Sequence, residues 1–132
     1  MDVVDKEKSS LSVLNYNVRG LLPLLGDEDF LEYVQVHDFV VFTETHLSFD
    51  FDHNVKFDDY SCMQKCGIKT SMGGRRADGV MLLIKKSLSP YIKEIENPFM
   101  NLITCEVDKK LYGTENPVMI IAVYNNPSES PV

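Results

Sequence analysis

Apolar residues fall along the chain in short blocks whose spacing changes from one block to the next. LSVLNYN, Leu11 to Asn17, partly alternates apolar and polar positions, is rich in strand formers and is followed by Gly20, which predicts a first strand. After LLPLLG, Asp27 is placed to cap a helix over DEDFLEYVQVH. Phe30, Leu31 and Val34 share one face of that helix, and its acids gather at the N-terminal end, where the helix dipole favours them. DFVVFTE follows, a near-continuous apolar run that reads as an interior strand of a β-α-β unit.

The second part of the chain changes character. THLSFDFDHNVKFDDY reads as loop, YSCMQKC as a strand and IKTSMGGRRADG as a basic, glycine-containing turn. GVMLLIKKSL predicts a buried strand, PYIKEI a weaker one, NLITCEVDKK another, and KKLYGTENP a turn. PVMIIAVYNN is the strongest strand pattern, and its unbroken apolar run predicts burial on both faces. The order predicts an α/β fold, β-α-β followed by largely antiparallel strands in hairpins. A fully buried last strand needs neighbours on both edges and cover on both faces, yet only PSESPV follows it. The pattern therefore reads as a fragment of a larger core.

Composition narrows the class. The 132 residues suit a single domain over 11–132, preceded by a polar, mixed-charge arm over 1–10. Apolar content of 44% and charged content of 25% are those of a globular protein. The longest apolar runs are far shorter than a bilayer span and no charged-then-apolar leader opens the chain, so an intracellular protein, nuclear or cytoplasmic and without a membrane, is expected. Three scattered cysteines, Cys62, Cys66 and Cys105, agree with a reducing compartment, and the Cys62–Cys66 pair lacks the second ligand pair of a zinc site.

The net charge of −7 excludes a protein that coats nucleic acid non-specifically. Charge is uneven, however. Lys65, Lys69, Arg75, Arg76, Lys85, Lys86 and Lys93 face a single acid, Asp78, across one segment, which predicts either a solvated basic loop or a phosphate-facing sector. Two motifs are decoys. DFDHN opens like a calcium loop but carries Val55 where the turn needs glycine and Ser61 where a bidentate glutamate belongs. Asn126-Pro127-Ser128 has proline at its centre and is no glycosylation acceptor.

Polar groups at the strand ends carry the chemistry. The first strand ends at Asn17, the second at Glu44 and the last at Tyr124. Functional groups collect where strands give way to loops. An amide oxygen and a carboxylate at neighbouring strand ends are hard ligands that suit Mg²⁺ or Mn²⁺, with water completing the shell, and a nearby phenol suits a phosphate oxygen. Plainer readings stand beside this one: Asn17 capping a turn, Glu44 pairing with Arg19, and Tyr124 a core tyrosine with its hydroxyl at the rim.

LSVLNYNVRGL, DFVVFTETHL, RRADGVMLLIKKSLSPYI and PVMIIAVYNNPS, in that order, resemble the N-terminal half of an endonuclease/exonuclease/phosphatase domain. Within that superfamily the sequence is most similar to the apurinic/apyrimidinic-like endonuclease of non-LTR (LINE-type) retrotransposons. The resemblance implies a four-layer α/β sandwich, of which this chain would supply about one sheet and one helix. It also implies a Mg²⁺- or Mn²⁺-dependent DNA endonuclease in which Glu44 binds the metal, Asn17 helps to place it, and Tyr124 contacts the scissile phosphate. His46 matches a frequent residue beside the glutamate, and Arg19, Arg75 and Arg76 are the further candidates for substrate contact.

The sequence departs from that pattern in three ways. Asn126 replaces the first proline of the Y-x-P-P turn, and Asp78 replaces a common second glycine. The later G-D-x-N segment and the aspartate–histidine pair that activates water have no counterpart. The chain alone is therefore expected to be inactive, with two alternatives: a non-enzymatic interaction module that self-associates through the exposed half-sandwich face, or a decayed retroelement relic.

Overall fold

A computed structural model describes residues 10–48, 50–66, 68–69 and 76–125. The expected N-terminal arm lies outside these residues except for Ser10. Strand β1 (Val13–Asn17) leads through a 3₁₀ turn at Leu22–Gly26 into helix α1 (Glu28–Gln35). The helix starts where Asp27 directs it to. The Asp27 carboxylate accepts from the backbone N–H groups of Asp29 and Phe30, satisfying donors that a helix start leaves unpaired. Strand β2 (Phe39–Thr43) follows, with every residue buried.

Beyond it come β3 (Tyr60–Lys65), the two-residue strands β4 (Ile68–Lys69) and β5 (Arg76–Ala77), and β6 (Val80–Lys85). The chain continues through β7 (Ile92–Ile95), β8 (Leu102–Val107), helix α2 (Lys109–Tyr112) and β9 (Val118–Val123).

One sheet has the order β1-β2-β6-β3, with β1 parallel to β2 and the other pairs antiparallel. A second, fully antiparallel sheet has the order β7-β8-β9, and β4 pairs with β5 as a separate ribbon. The unbroken apolar runs of β2 and β6 now have their reason. Successive side chains point to opposite faces, and both faces of this sheet are covered. Phe39, Val41, Leu82 and Ile84 pack with Ile103, Cys105, Val107 and Ala122 of the second sheet. Val40, Phe42, Met81 and Leu83 pack instead with Val34 of α1 and with Leu21, Phe57 and Tyr60. Helix, sheet and sheet therefore stack as part of an α/β sandwich.

Tyr60 ties the helix layer down. Its ring is fully buried, and its hydroxyl donates to the Val34 carbonyl at 2.9 Å and the His37 carbonyl at 2.6 Å, near the end of α1. Burial pushes this phenol up to about 12, with Asp38 and Asp59 adding to the effect.

Three local expectations fail. β9, expected to be buried on both faces, pairs among the described residues only with β8, and Met119, Ile121 and Val123 are 48%, 58% and 59% exposed. Its even-numbered positions face the core and its odd-numbered ones face outward, a period of two hidden by apolar residues at every position. Within KKLYGTENP, expected as a turn, Lys109–Tyr112 form a short helix capped by the Asp108 side chain and ended by Gly113 at φ 67°. Within the long loop, His53–Val55 form a 3₁₀ turn, and the Asp52 carboxylate accepts from the Asn54 N–H. DFDHN thus serves as a local cap.

Candidate functional site

Asn17, Glu44 and Tyr124 each lie at the C-terminal end of a strand or one residue beyond it, and the fold brings all three together. β1 and β2 are parallel neighbours in a register that pairs Asn17 with Thr43, so Asn17 and Glu44 emerge side by side. β9 belongs to the other sheet and delivers Tyr124 from across the sandwich. The Asn17 side-chain N–H donates to Glu44 Oε2 at 2.8 Å, and the Tyr124 hydroxyl donates to the same oxygen at 2.9 Å. The other carboxylate oxygen, Oε1, stands 3.9 Å from His46 Nε2.

The amide of Asn17 has a fixed sense here. Its Oδ1 accepts from the Arg19 backbone N–H at 3.1 Å, which leaves its NH₂ to hold the carboxylate. That hydrogen bond is the main reason the Glu44 carboxyl lies below its ordinary value of 4.5. Partial loss of hydration opposes the shift, while the Tyr124 hydroxyl, His46 and Arg19 reinforce it. Tyr124 moves the opposite way, up to about 12, through lost hydration first and then through the carboxylate it donates to, with Asp78 adding. At neutral pH the pair is an ionised acceptor and a neutral donor.

The backbone around these side chains is unusual. Arg19, Glu44, His46 and Asp78 all have left-handed φ values, 49°, 54°, 57° and 63°, and Gly20 and Gly79 both sit at 101°. Non-glycine residues seldom adopt this region, at a cost of about 1–3 kcal/mol each, and such residues cluster at functional sites. Asp78 occupies the position where the resemblance leads one to expect a glycine, and its positive φ supplies the reason for that preference. Aspartate is one of the residues that tolerate the conformation best.

The strand ends are also cross-tied. Val18, Gly20 and Leu21 N–H donate to the carbonyls of Thr43, Glu44 and Thr45 at 3.0, 2.7 and 3.0 Å. From the other side, Thr45 and His46 N–H donate to the Gly79 and Asp78 carbonyls at 3.2 and 2.9 Å. Sequence reasoning registered Asp78 only as a departure and passed over Thr45, yet both are buried in the rim of the site. The Asp-Gly step before β6 is a turn signal that marked the place.

The remaining candidates separate. Arg19 is exposed beside Asn17, and His46 borders Glu44. Arg75 lies outside the described residues, as do Asn126 and the side chain of Arg76. Two members of the basic segment have internal partners. Lys65 Nζ donates to the Asn97 carbonyl, Asn97 Oδ1 and the Phe99 carbonyl at 3.0, 3.2 and 2.7 Å. Lys85 Nζ lies 3.9 Å from an Asp59 carboxylate oxygen and 4.8 Å above the Tyr60 ring. Cys62 and Cys105 are thiols that burial pushes up to about 12 and 11 respectively.

A divalent cation fits this donor set in one way. Among the described residues no group of three or more His, Cys, Asp or Glu side chains converges, so an all-protein cage is absent there. Glu44 is ionised and a quarter exposed, with Oε2 bound by two donors and Oε1 turned toward His46. A single hard carboxylate open to solvent suits a largely hydrated Mg²⁺ or Mn²⁺, which is ordinarily held by one or two carboxylates plus water and substrate phosphate. Among the described residues no helix is long and apolar enough to cross a membrane.

No protein-family model matches the chain, and no curated protein matches it. Solved structures do. The AP endonuclease LMAP of Leishmania major aligns with a TM-score of 0.61 at 16% identity, over 86% of this chain and 40% of that one. The 3′ phosphatase NExo of Neisseria, bound to a product DNA hairpin, aligns at 0.55 and 17% identity, over 87% and 41%. A humanized D. rerio TDP2 aligns at 0.51 and 21% identity, over 92% and 51%. The chain spans about two fifths to one half of the length of the structures it matches. Its fold is that of the endonuclease/exonuclease/phosphatase proteins, present here as a partial α/β sandwich.

Proposed function

We propose that the chain carries half of a metal-assisted phosphodiester-hydrolysing site that acts on DNA. The convergence of Asn17 and Tyr124, from different sheets, on one oxygen of Glu44 carries this reading. Glu44 would hold the cation, and Asn17 orients its carboxylate. Tyr124, a neutral donor at working pH, would turn its hydroxyl from Glu44 Oε2 to a phosphate oxygen when substrate binds, and Arg19 lies close enough to add positive charge. A Mg²⁺ or Mn²⁺ held there would neutralise charge on the phosphodiester and on its leaving oxygen. The DNA-bound neighbour supports nucleic acid as the substrate class. The N-Y-N-V-R-G-L and T-E-T-H-L segments support descent from a LINE-type endonuclease acting inside the cell, in keeping with three cysteines that form no disulfide among the described residues.

Among the described residues nothing is placed to activate water. His46 is the nearest imidazole, and it faces the Glu44 carboxylate. Missing general-base assistance costs about 10²–10⁴-fold in rate, so on this reading the half-site binds the cation without supporting appreciable cutting. Mn²⁺ added to isotope-labelled protein should broaden the resonances of Asn17, Glu44 and Tyr124, and Glu44→Gln should abolish the effect. The absence of site-specific broadening at millimolar Mn²⁺ overturns the metal reading. Mg²⁺-dependent nicking of supercoiled plasmid that disappears in Glu44→Ala overturns the half-site reading.

A further inference from the structure

The site end of the sandwich is closed by a circuit of paired residues and hydrogen bonds. Across the first sheet, Asn17, Thr43, Val80 and Lys65 form one row: Asn17 pairs with Thr43, Thr43 with Val80, and Val80 with Lys65. Two ties leave that row for the second sheet. In one, Glu44, next to Thr43, accepts from the Tyr124 hydroxyl at 2.9 Å. In the other, Lys65 Nζ donates to the Asn97 carbonyl, Asn97 Oδ1 and the Phe99 carbonyl at the tip of the β7–β8 hairpin. The same tip meets Tyr124, whose N–H donates to the Asn101 carbonyl at 3.1 Å.

Asn97 stiffens that circuit. β7 ends at Ile95, which pairs with Thr104, whereas β8 reaches two residues past that pair, to Leu102, and pairs there with Val123 of β9. Backbone groups along an antiparallel strand alternate in direction. Because the Asn101 carbonyl faces β9, the Leu102 carbonyl faces the side that β7 no longer reaches. The Asn97 side chain takes the place of β7 there: its Nδ2 donates to the Leu102 carbonyl at 3.2 Å and reaches Thr104 Oγ1 at 3.5 Å. Its Oδ1 accepts from the Phe99 N–H at 2.9 Å as well as from Lys65. Thr104 Oγ1 in turn donates to the Ile95 carbonyl at 2.8 Å. The amide's two donors and two lone pairs are all directed into the hairpin or to Lys65. The stretch of β8 that receives Tyr124 is therefore held from both sides.

We propose that Asn97, anchored by Lys65, is a positioning residue for Tyr124: it fixes the hairpin tip from which the Tyr124 hydroxyl is delivered to Glu44 Oε2. Tyr124 lies one residue past the end of β9, where a strand ordinarily frays, and the bond to Asn101 is what continues its order. A hydroxyl that must meet one carboxylate oxygen in good geometry depends on that order, because a hydrogen bond weakens steeply as its angle opens. Asn97 acts through Tyr124 and leaves the hold of Asn17 on Glu44 untouched. The functional meaning of this placement rests on the half-site reading, but its geometry can be measured with neither cation nor DNA.

Magnetic resonance on the isotope-labelled chain at pH 7, without metal, tests the proposal. In the unsubstituted chain the Tyr124 amide should exchange with deuterated solvent within about tenfold of the rate at Ala122, inside β9. Asn97→Ala should speed Tyr124 exchange by about tenfold or more. It should also move the Glu44 carboxyl carbon resonance in the direction that Tyr124→Phe moves it. Asn97→Asp keeps the acceptor for Phe99 and Lys65 but loses the donor to Leu102, and should do the same to a smaller extent. In a Tyr124→Phe background, Asn97→Ala should leave the Glu44 resonance where Tyr124→Phe alone puts it. Tyr60→Phe, on the helix side of the first sheet, should lower stability and move none of these signals. Unmoved Tyr124 and Glu44 signals in folded Asn97→Ala, a Glu44 shift that persists without the Tyr124 hydroxyl, or the same shift in Tyr60→Phe would overturn the inference. So would Tyr124 exchange at the unprotected rate, a result that needs no variant. Absent Mn²⁺ broadening beside the expected Asn97→Ala shifts overturns the half-site reading and supports this placement.

Discussion

The Tyr124 hydroxyl and the Glu44 carboxylate stand 2.9 Å apart although 80 positions separate them in the chain, and the bond between them joins the two sheets at the site. It is a bond to a charged acceptor in a partly exposed setting, so it does two things at once. It clasps the sandwich and it sets the ionisation of the ligand. Tyr124→Phe should cost about 1 kcal/mol of stability, read as a lower urea midpoint with unchanged slope, and should raise the titration midpoint of the Glu44 carboxyl. An unmoved Glu44 titration would show that the bond does not persist in solution.

The direction of the Glu44 shift also fixes a pH dependence. Its folded-state value lies below 4.5, so on acidification the unfolded chain takes up this proton first. The contribution to stability is complete above the unfolded value and is lost as pH falls through the folded one. Comparison with Glu44→Gln isolates it: the stability gap between the two proteins should shrink as pH falls through the ordinary value of 4.5 and below it. A gap that widens on acidification contradicts the sign.

Tyr60 offers a test of the layer beneath. Its hydroxyl serves two carbonyls near the end of α1 from a fully buried ring. Tyr60→Phe removes this donor from the His37 carbonyl, while the Val34 carbonyl keeps the His37 N–H, and should destabilise the fold by about 1–3 kcal/mol, visible in chemical denaturation.

Lys65 separates a structural role from a substrate role. Its ammonium joins Asn97 and Phe99 and so ties the loop before β8 to the end of β3. Lys65→Met should lower stability by about 1–2 kcal/mol while leaving Mn²⁺ broadening at Glu44 unchanged. A loss of metal binding with normal stability would return Lys65 to the site.

Gly20 is required by its backbone. At φ 101° a Cβ is strained regardless of space, and the one it would gain lies 3.4 Å from His46 Nδ1, an ordinary contact. Gly20→Ala should therefore destabilise the protein by about 1–2 kcal/mol through conformation, with the His46 resonances shifting only slightly.

Much of this was legible in the sequence because the signals were local. Asp27 announced α1, the run from Phe39 to Thr43 announced a strand covered on both faces, and Asn17, Glu44 and Tyr124 each closed a strand pattern. Long-range choices were not legible. An apolar strand reads alike whether one face or both are covered, so the exposure of Met119, Ile121 and Val123 was not legible. Lys65 looked like free positive charge because its acceptors lie 32 and 34 residues away. The left-handed residues of the site gave almost no sign, since Arg, Glu and His do not advertise a positive φ. Asp78 did so only weakly, by preceding a glycine.

The backbone ties around Glu44 bear on time as well as on position. The segment from Thr43 to His46 has no regular structure beyond Thr43, yet neighbours on both sides hold it by main-chain bonds. Its amides at Thr45 and His46, and those of Gly20 and Leu21 across from it, should exchange with deuterated solvent as slowly as strand amides do. The carboxylate then waits on a frame that opens only when the sheet opens. A cation arriving there would meet a ligand already in place, with no segment left to order first.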